Sequence, residues 1–420
     1  MKIDFIKGRQ VFDSRGNPTV EAEVRAGKIT EKAIVASGAS TGSNEAIELR
    51  DKGKAFSGKG VLKAVENINK KIFPKLKGMN PEEQKEIDNT LIELDGTENK
   101  SVLGANAVVS VSMAVARLGA KAKEIPLYEH LGGLAGNKKF VLPVPQMNVL
   151  NGGKHAGLEN DIQERMIFPS KAKTFSHAMQ MSTEIYHELK ALMKKKFGDL
   201  AGLIGDEGGF VARIQSEEEK LELILKAIDE TGYSREVDLA IDCASSEFYK
   251  NKKYFLGNKS FSAGDLIDFY SDLSGTFRIK SIEDGMAEND WSGWNQLTSK
   301  LGKKIQIVGD DLLVTNIKFI EKAVKEKSCN SLLLKVNQIG SVTESIESAQ
   351  LAFKNNWSVV VSHRSGETED SFIADLAVGL GCGQSKFGAP ARSDRNSKYN
   401  QLLRIEEELN EKGKAVYGRK

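Results

Sequence analysis

IQIVGDDLLVTNIKFIEKAVKEKSCNSLLLKVN, residues 305–337, holds the unit from which the fold can be read. A short β-branched run ends on two aspartates, IKFIEKAVKEK follows with apolar residues at helical spacing, and a second short run, SLLLKVN, closes the stretch. Strand, helix, strand is the reading, and two strands joined through a helix lie parallel. Outward from it the unit recurs. DLAIDC, IKSIED, IQIVGDD, SLLLKVN, SVVVSHR and, more weakly, GQSKFG carry polar or charged residues at their ends, namely Asp242, Glu283, Asp310, Lys335, His363 and Lys386. The gaps between them, 41, 27, 25, 28 and 23 residues, each fit one strand plus one helix, such as VTESIESAQLAFKNN. Two further strand-like runs upstream, LPVPQMNVLN and DIQERMIFP, bring the count to the eight strands of a closed barrel. The predicted architecture is therefore α/β: a parallel sheet alternating with helices, closed as a TIM-type β/α barrel with its chemistry at the C-terminal strand ends.

Ahead of the barrel the signals are mixed. NPTVEAEVRAG alternates apolar and charged residues through Val20, Ala22 and Val24, and KAIVASG supplies a pairing strand after the Gly27 turn. Helical spacing follows between Pro81 and Ala122, where residues 101–120 read as a buried core helix because Asn106, three serines and Arg117 interrupt the apolar run. The polar, glycine-rich GGLAGNKK, Gly132 to Lys139, reads as a linker. The expected organisation is a first domain over residues 1–136 and a barrel over residues 137–420.

The chain has 420 residues, of which 40% are hydrophobic, enough for a large core and two or three domains. Sixty Lys plus Arg against 58 Asp plus Glu leave a formal net charge of +2, which offers no general attraction to nucleic acid or membrane. Cys243, Cys329 and Cys382 make neither a disulfide framework nor a zinc spacing and suit a reducing compartment. The opening MKIDFIKGRQ has no apolar stretch of signal-peptide length, so no secretion signal is expected.

The strand ends carry the chemistry. Asp242, Glu283 and Asp310 close three consecutive strands, and around a barrel rim they would point at one spot and repel unless a cation sat there. Hard oxygen ligands with room for water and substrate suit Mg²⁺. Taken singly, each acid reads equally well as a helix cap or a surface ion pair. Lys335 is the odd residue, a charge directly behind three leucines, which must snorkel, pair or be used for its nitrogen. Burial and neighbouring cations lower a lysine pKa towards that of a base, while carboxylates push it up. His363, Arg364, Ser365 and Lys386 form a set suited to gripping an anion such as phosphate, although Arg364 could instead pair with Glu367 or Glu369. Glu207 sits in the glycine-framed GDEGGF; Glu164 and His155 are further candidates. A divalent metal plus a lysine suggests proton abstraction next to a carboxylate.

Nine stretches in order resemble the enolases, the phosphopyruvate hydratases, over practically the whole chain. They are DSRGNPTVE from Asp13, SGASTGSNEAIELRD from Ser37, NGGKHAG from Asn151, GDEGGF from Gly205, SIEDGMAENDW from Ser281, GDDLLVTN from Gly309, LLLKVNQIGS from Leu332, SHRSGETED from Ser362 and KYNQLLRIEEEL from Lys398. The resemblance implies a smaller α+β capping domain ahead of the barrel and a Mg²⁺-dependent dehydration of 2-phosphoglycerate to phosphoenolpyruvate. It implies Lys335 as the base at C2 and Glu207 as the acid for the departing C3 hydroxyl. It makes Asp242, Glu283 and Asp310 ligands of one Mg²⁺, and Ser40, on a closing loop, a contact of a second Mg²⁺ bound with substrate. Gln163, Arg364, Ser365 and Lys386 match substrate-binding positions; His155, Glu164 and His363 match residues that support the site. A homodimer or homo-octamer is implied too.

Some positions depart from the family pattern. Ala36 stands where proline commonly precedes SGAST, Arg165 where phenylalanine commonly follows the glutamate, FVARIQS where an Ala-Pro-Asn run is common, and QSKFGAP where QIKTGAP is common. Arg165 should face away from Glu164 on an alternating strand and so bears on packing more than on chemistry. The expected location is the cytoplasm. Two other readings stand beside the lyase: another acid-sugar dehydratase of the enolase superfamily, and a binding protein displayed at the cell surface, for which the terminal Lys420 is a cue.

Overall fold

The computed structural model describes residues 1–38, 42–214 and 216–418, so Ser40 and Lys420 lie outside the described residues. The first three strands form an antiparallel sheet in which Pro18–Ala26 is central, flanked by Phe5–Phe12 and Ile29–Ile34. Val20, Ala22, Val24 and Ala26 are buried, as their alternation requires, and the sheet packs on the helix Ala105–Ala122. That helix is core along most of its length, and among the described residues no helix is long and apolar enough to cross a membrane. The strand Phe5–Phe12 had no sequence signal: its run FIKGRQVF is largely polar because only one side of this edge strand meets the core. The proposed linker is partly helical, since the helix Leu127–Leu134 takes in Gly132 and Gly133, and Gly132 packs against Phe140 and Gly379.

The barrel sheet runs in the order Val144–Pro145, Gln384–Lys386, Ser358–Ser362, Ser331–Leu334, Gln306–Gly309, Ile279–Glu283, Asp238–Asp242, Glu164–Phe168, Met147–Asn151 and Phe210–Val211. Val144–Pro145 and Met147–Asn151 are one continuous run interrupted at Gln146. The run pairs with Gln384–Lys386 on one side and with Glu164–Phe168 on the other, which closes eight strands into a barrel. The expectation of an all-parallel sheet is corrected at one strand. Glu164–Phe168 runs antiparallel to both Met147–Asn151 and Asp238–Asp242. A loop with only one 3₁₀ turn, and no crossover helix, separates it from the preceding strand, so the chain returns in the opposite direction.

Inside the barrel, Val308, Leu333 and Val360 form a buried cluster separate from the main core, while Leu332 and Leu334 face that core from the other side of the same strand. Lys335 is thus odd only in sequence: the leucines fill both faces of a strand, and the lysine follows at its open end.

The first domain is tied to the barrel by Arg117. Its guanidinium donates twice to Asp370, at 2.7 and 2.7 Å, and once to the Lys32 carbonyl at 2.6 Å, while the Ile34 amide also donates to Asp370. Burial alone would raise the Asp370 carboxyl, but Arg117 outweighs it and holds it below the usual carboxylate range. Asp370→Ala is expected to cost about 2 kcal/mol, less than a fully buried pair because Arg117 keeps some contact with water. A folded-state value below the unfolded one means that the contribution is present above about pH 4 and is lost as acidification passes the folded value. Denaturant titrations at pH 7 and at acid pH check this, the difference between wild type and variant shrinking at acid pH.

Candidate active site

Strand register builds the rim. Glu164, Asp242 and Glu283 are direct partners on three neighbouring strands. Glu164 opens its strand whereas the other two close theirs, and only the antiparallel course of Glu164–Phe168 brings all three to the same end of the barrel. Lys386, paired with Ser362 at the end of its own strand, sends its ammonium among them: 2.9 Å from Asp242, 2.8 Å from Glu283 and 3.3 Å from Glu164. Burial works against its charge, but these carboxylates hold its pKa well above the ordinary lysine value. Glu283 is pushed up by burial and by Asp242 beside it, repulsion that a cation relieves.

Lys335 follows the strand Ser331–Leu334, and its ammonium forms a short ion pair with Asp310. Burial favours the neutral amine, yet Asp310 wins and raises the pKa, so Lys335 is a paired ammonium. Asp310 is correspondingly low, burial being outweighed by Lys335, and it also accepts from Gln338 at 2.8 Å. Behind it, Asp284 accepts from the amides of Asp310 and Asp311 at 2.9 and 3.0 Å and fixes that turn.

The opposite wall is an acid–imidazole cluster. Ligand atoms of His155, Glu164 and Glu207 lie within 4.8 Å of one another. Glu207 stands in a tight turn closed by the Gly205 amide on the Gly209 carbonyl, and Gly208, at φ +84°, adopts a conformation that strains any side chain. Its carboxylate accepts from Asn148 and Ser365 at 3.2 Å each, with His363 at 3.5 Å. Burial would raise both acids, but His155 and His363 hold Glu207 well below the usual range, while Glu207 adds to burial in raising Glu164. The two carboxyls are thus driven apart, Glu164 upward and Glu207 downward. Burial pushes His363 down to about 3.

His155, Gln163, Glu164, Glu207, Asp242, Asp310, Lys335, His363, Arg364, Ser365 and Lys386 all line one cavity with about 320 Å³ of empty space, and Glu283 lies immediately behind Lys386. Of the predicted site residues only Ser40 falls outside the described residues. Gln163 Oε1 is buried there with no hydrogen-bond partner. Arg364 does not pair through its side chain with Glu367 or Glu369; its guanidinium meets Glu45 at 2.8 and 3.1 Å, and Glu367 accepts only its backbone amide. Sequence reading also missed Arg395. Fully buried, it donates to the carbonyls of Arg364 and Ser365 at 2.6 Å, to that of Asp206 at 3.1 Å, and contacts the His363 ring. The only signal was its position just ahead of the stretch KYNQLLRIEEEL.

The donor set fits a hard divalent cation. Three carboxylates come from three neighbouring strands, and two of them already converge on a single positive charge, Lys386 Nζ. Among the described residues, three ligand atoms also come within 4.8 Å at Asp284, Asp310 and Asp311.

A β/α barrel with a carboxylate, lysine and histidine rim, behind a separate first domain, is the plan of a barrel enzyme built for acid–base chemistry on an anion. Comparison with known proteins makes the class specific. The family description "Enolase, N-terminal domain" matches residues 3–131, and "Enolase, C-terminal TIM barrel domain" matches residues 139–420. The chain is 53% identical to an enolase of Solanum lycopersicum over 99% of its length and 97% of that protein. It is 54% identical to an enolase of Thermococcus gammatolerans and to enolase 2 of Hevea brasiliensis, in each case over 99% of this chain and 96% of the relative. The chain belongs to the enolase family.

Proposed function

We infer that the protein is a phosphopyruvate hydratase, a hydro-lyase that interconverts 2-phosphoglycerate and phosphoenolpyruvate. The observation that carries the reading is full-length identity of 53–54% to curated enolases, joined to one cavity that gathers the acid, lysine and anion-binding side chains. Identity at that level over the whole length favours this lyase over another acid-sugar dehydratase and over a surface-displayed binding protein.

In this reading Lys335 takes the C2 proton, and Glu207, after taking up a proton from the acid–imidazole cluster around it, passes that proton to the C3 hydroxyl as it departs as water. Arg364, Ser365, Gln163 and Lys386 hold the anionic substrate, and His155, Glu164 and His363 set the proton inventory around Glu207. Lys335 must shed its own proton first. Arg364 and Lys386 favour the neutral amine and Asp310 opposes it, so the base form gains whenever another cation neutralises Asp310. Asp242, Glu283 and Asp310 would hold one Mg²⁺, and Ser40 would contribute to a second bound with substrate; the metal would supply concentrated positive charge to stabilise the negative charge that develops on proton removal. Three widely spaced, buried cysteines agree with a reducing compartment, and we place the protein in cytoplasmic glycolysis and gluconeogenesis as a homodimer or homo-octamer.

The test follows ultraviolet absorbance as phosphoenolpyruvate forms from 2-phosphoglycerate. Activity is expected with Mg²⁺, with loss of turnover on exhaustive chelation and recovery on adding the metal back. Asp310→Asn should raise the Mg²⁺ concentration needed for activation by at least tenfold. Full activity in rigorously metal-free buffer would overturn the metal assignment, and no product under any metal condition would overturn the reading itself.

A further inference from the structure

We propose that Arg165 is a positioning residue for this reaction: with Asp161, Glu217 and Lys220 it forms a buried ionic clamp, outside the catalytic cavity, that fixes the rim loop carrying His155. The proposal rests on the functional reading above, because it assigns a consequence to where His155 stands.

Arg165 follows Glu164 on the same strand and, by alternation, faces the opposite way, into the layer between the barrel and the helix Glu217–Glu230. It is completely buried. Nε donates to Glu217 Oε1 at 2.8 Å and Nη2 pairs closely with Glu217 Oε2. The remaining contacts run back to the loop: Nη2 donates to Asp161 Oδ1 at 2.9 Å and Nη1 to the Ile162 carbonyl at 2.9 Å. Lys220 completes the group, 2.6 Å from Asp161 and 3.6 Å from Glu217. Two cations and two anions balance, and the guanidinium bridges helix and loop in a way that a single ammonium cannot.

Asp161 and Ile162 end the loop that leaves the strand Met147–Asn151, passes through the 3₁₀ turn Gly153–Ala156 and returns at Gln163. The two limbs meet at Gly152, whose amide donates to the Gln163 carbonyl at 2.8 Å. A Cβ on Gly152 would stand 2.2 Å from the Ile162 carbonyl oxygen, 2.3 Å from Asp161 Oδ2 and 2.5 Å from Arg165 Nη1, so the guanidinium closes over the neck of the loop. Between the limbs hangs His155, with Nε2 3.2 Å from Ser365 Oγ and 3.7 Å from Glu207, and Nδ1 3.4 Å from Glu164.

An apolar side chain could fill the space behind the strand without the desolvation that a buried arginine incurs, so core packing alone does not call for this charge. What the arginine adds to the Lys220–Asp161 bond is a second bond to Asp161 and the bond to the Ile162 carbonyl, from the same group that grips Glu217. The clamp therefore acts on loop geometry, and through it on His155 and the Glu164–Glu207 pair.

The experiment compares the wild-type enzyme, first shown to form phosphoenolpyruvate, with Arg165→Phe, Arg165→Phe/Glu217→Leu and Asp161→Ala. Tm, kcat, KM and hydrogen exchange of residues 152–163 are measured for each. Arg165→Phe should lower Tm, because Glu217 is left buried beside Lys220 alone. The second substitution should recover most of that loss. Loop protection should not recover: exchange of residues 152–163 is expected at least tenfold faster in the double variant and in Asp161→Ala, with kcat down about tenfold and KM moved less. A folded double variant with wild-type kcat and wild-type loop protection would show that the cluster only packs and would overturn the proposal. If the double variant does not fold, Asp161→Ala decides on the same readouts. An inactive wild type would instead refute the functional reading and leave the loop-exchange comparison to judge the clamp.

Discussion

Lys335→Ala is expected to abolish both phosphoenolpyruvate formation and exchange of the C2 hydrogen of 2-phosphoglycerate with deuterated solvent. The other cations of the cavity are committed elsewhere: Lys386 to Asp242 and Glu283, Arg364 to Glu45. Neither carboxyl of the Glu164–Glu207 pair replaces an amine, since they stand on the opposite wall with the imidazoles. Loss towards the upper end of general-base effects, about 10⁴-fold, is the expected size. The fold should persist, because Lys335 stands at a strand end that opens on the cavity and Asp310 keeps its bond from Gln338. Mg²⁺ binding should persist as well, since removing the ammonium leaves the carboxylates in place. Proton NMR of 2-phosphoglycerate in D₂O, beside a calorimetric Mg²⁺ titration, measures the outcome. Wild-type C2 exchange by a folded, metal-binding Lys335→Ala would show that another group is the base.

Glu207→Gln should separate the two halves of the reaction. The amide keeps the side-chain shape: its oxygen can still accept from Asn148, and its nitrogen can donate to the Ser365 hydroxyl, both 3.2 Å from the native carboxylate. It cannot deliver a proton to the departing hydroxyl. Dehydration should fall by about 10²-fold or more, while C2 exchange continues through Lys335. The geometry adds a second expectation. Glu164 is raised partly by the charge of Glu207, so the variant should lower the Glu164 carboxyl towards the usual range, visible as a shifted carboxyl titration by infrared difference spectroscopy. Loss of exchange in step with dehydration would mean that Glu207 also governs the base.

The ion pairs of the rim show why these roles are separable. Positive charge that a metal would bring from solution is partly provided by the protein's own lysines, Lys386 among Asp242 and Glu283, and Lys335 on Asp310. Likewise Glu45 occupies Arg364. Asp242, Glu283, Asp310 and the cationic grips Arg364 and Lys386 are thus kept paired, which limits the repulsion that five buried acids around one cavity would otherwise exert.

How much of this could be read beforehand follows from the range of the interactions. The strand and helix periodicities, the eight-strand count and the positions of Asp242, Glu283, Asp310, Lys335, His363 and Lys386 at strand ends are local, set by residues within a turn or two of each other. Those are legible in the residues alone, and the resemblance carried by nine stretches reaches as far as the enolase family. Other features depend on which segments meet across the chain. The reversed strand that lifts Glu164 to the rim depends on a connection without a helix; the 0%-exposed Arg395 and Arg165 find partners far away in sequence, at Asp206 and Glu217. Charged side chains such as Glu45 or Arg117 look like ordinary surface residues until the first domain meets the barrel. These became visible in the folded chain, because a buried charge is tolerated for the sake of its partner, and no local pattern of residues names that partner in advance.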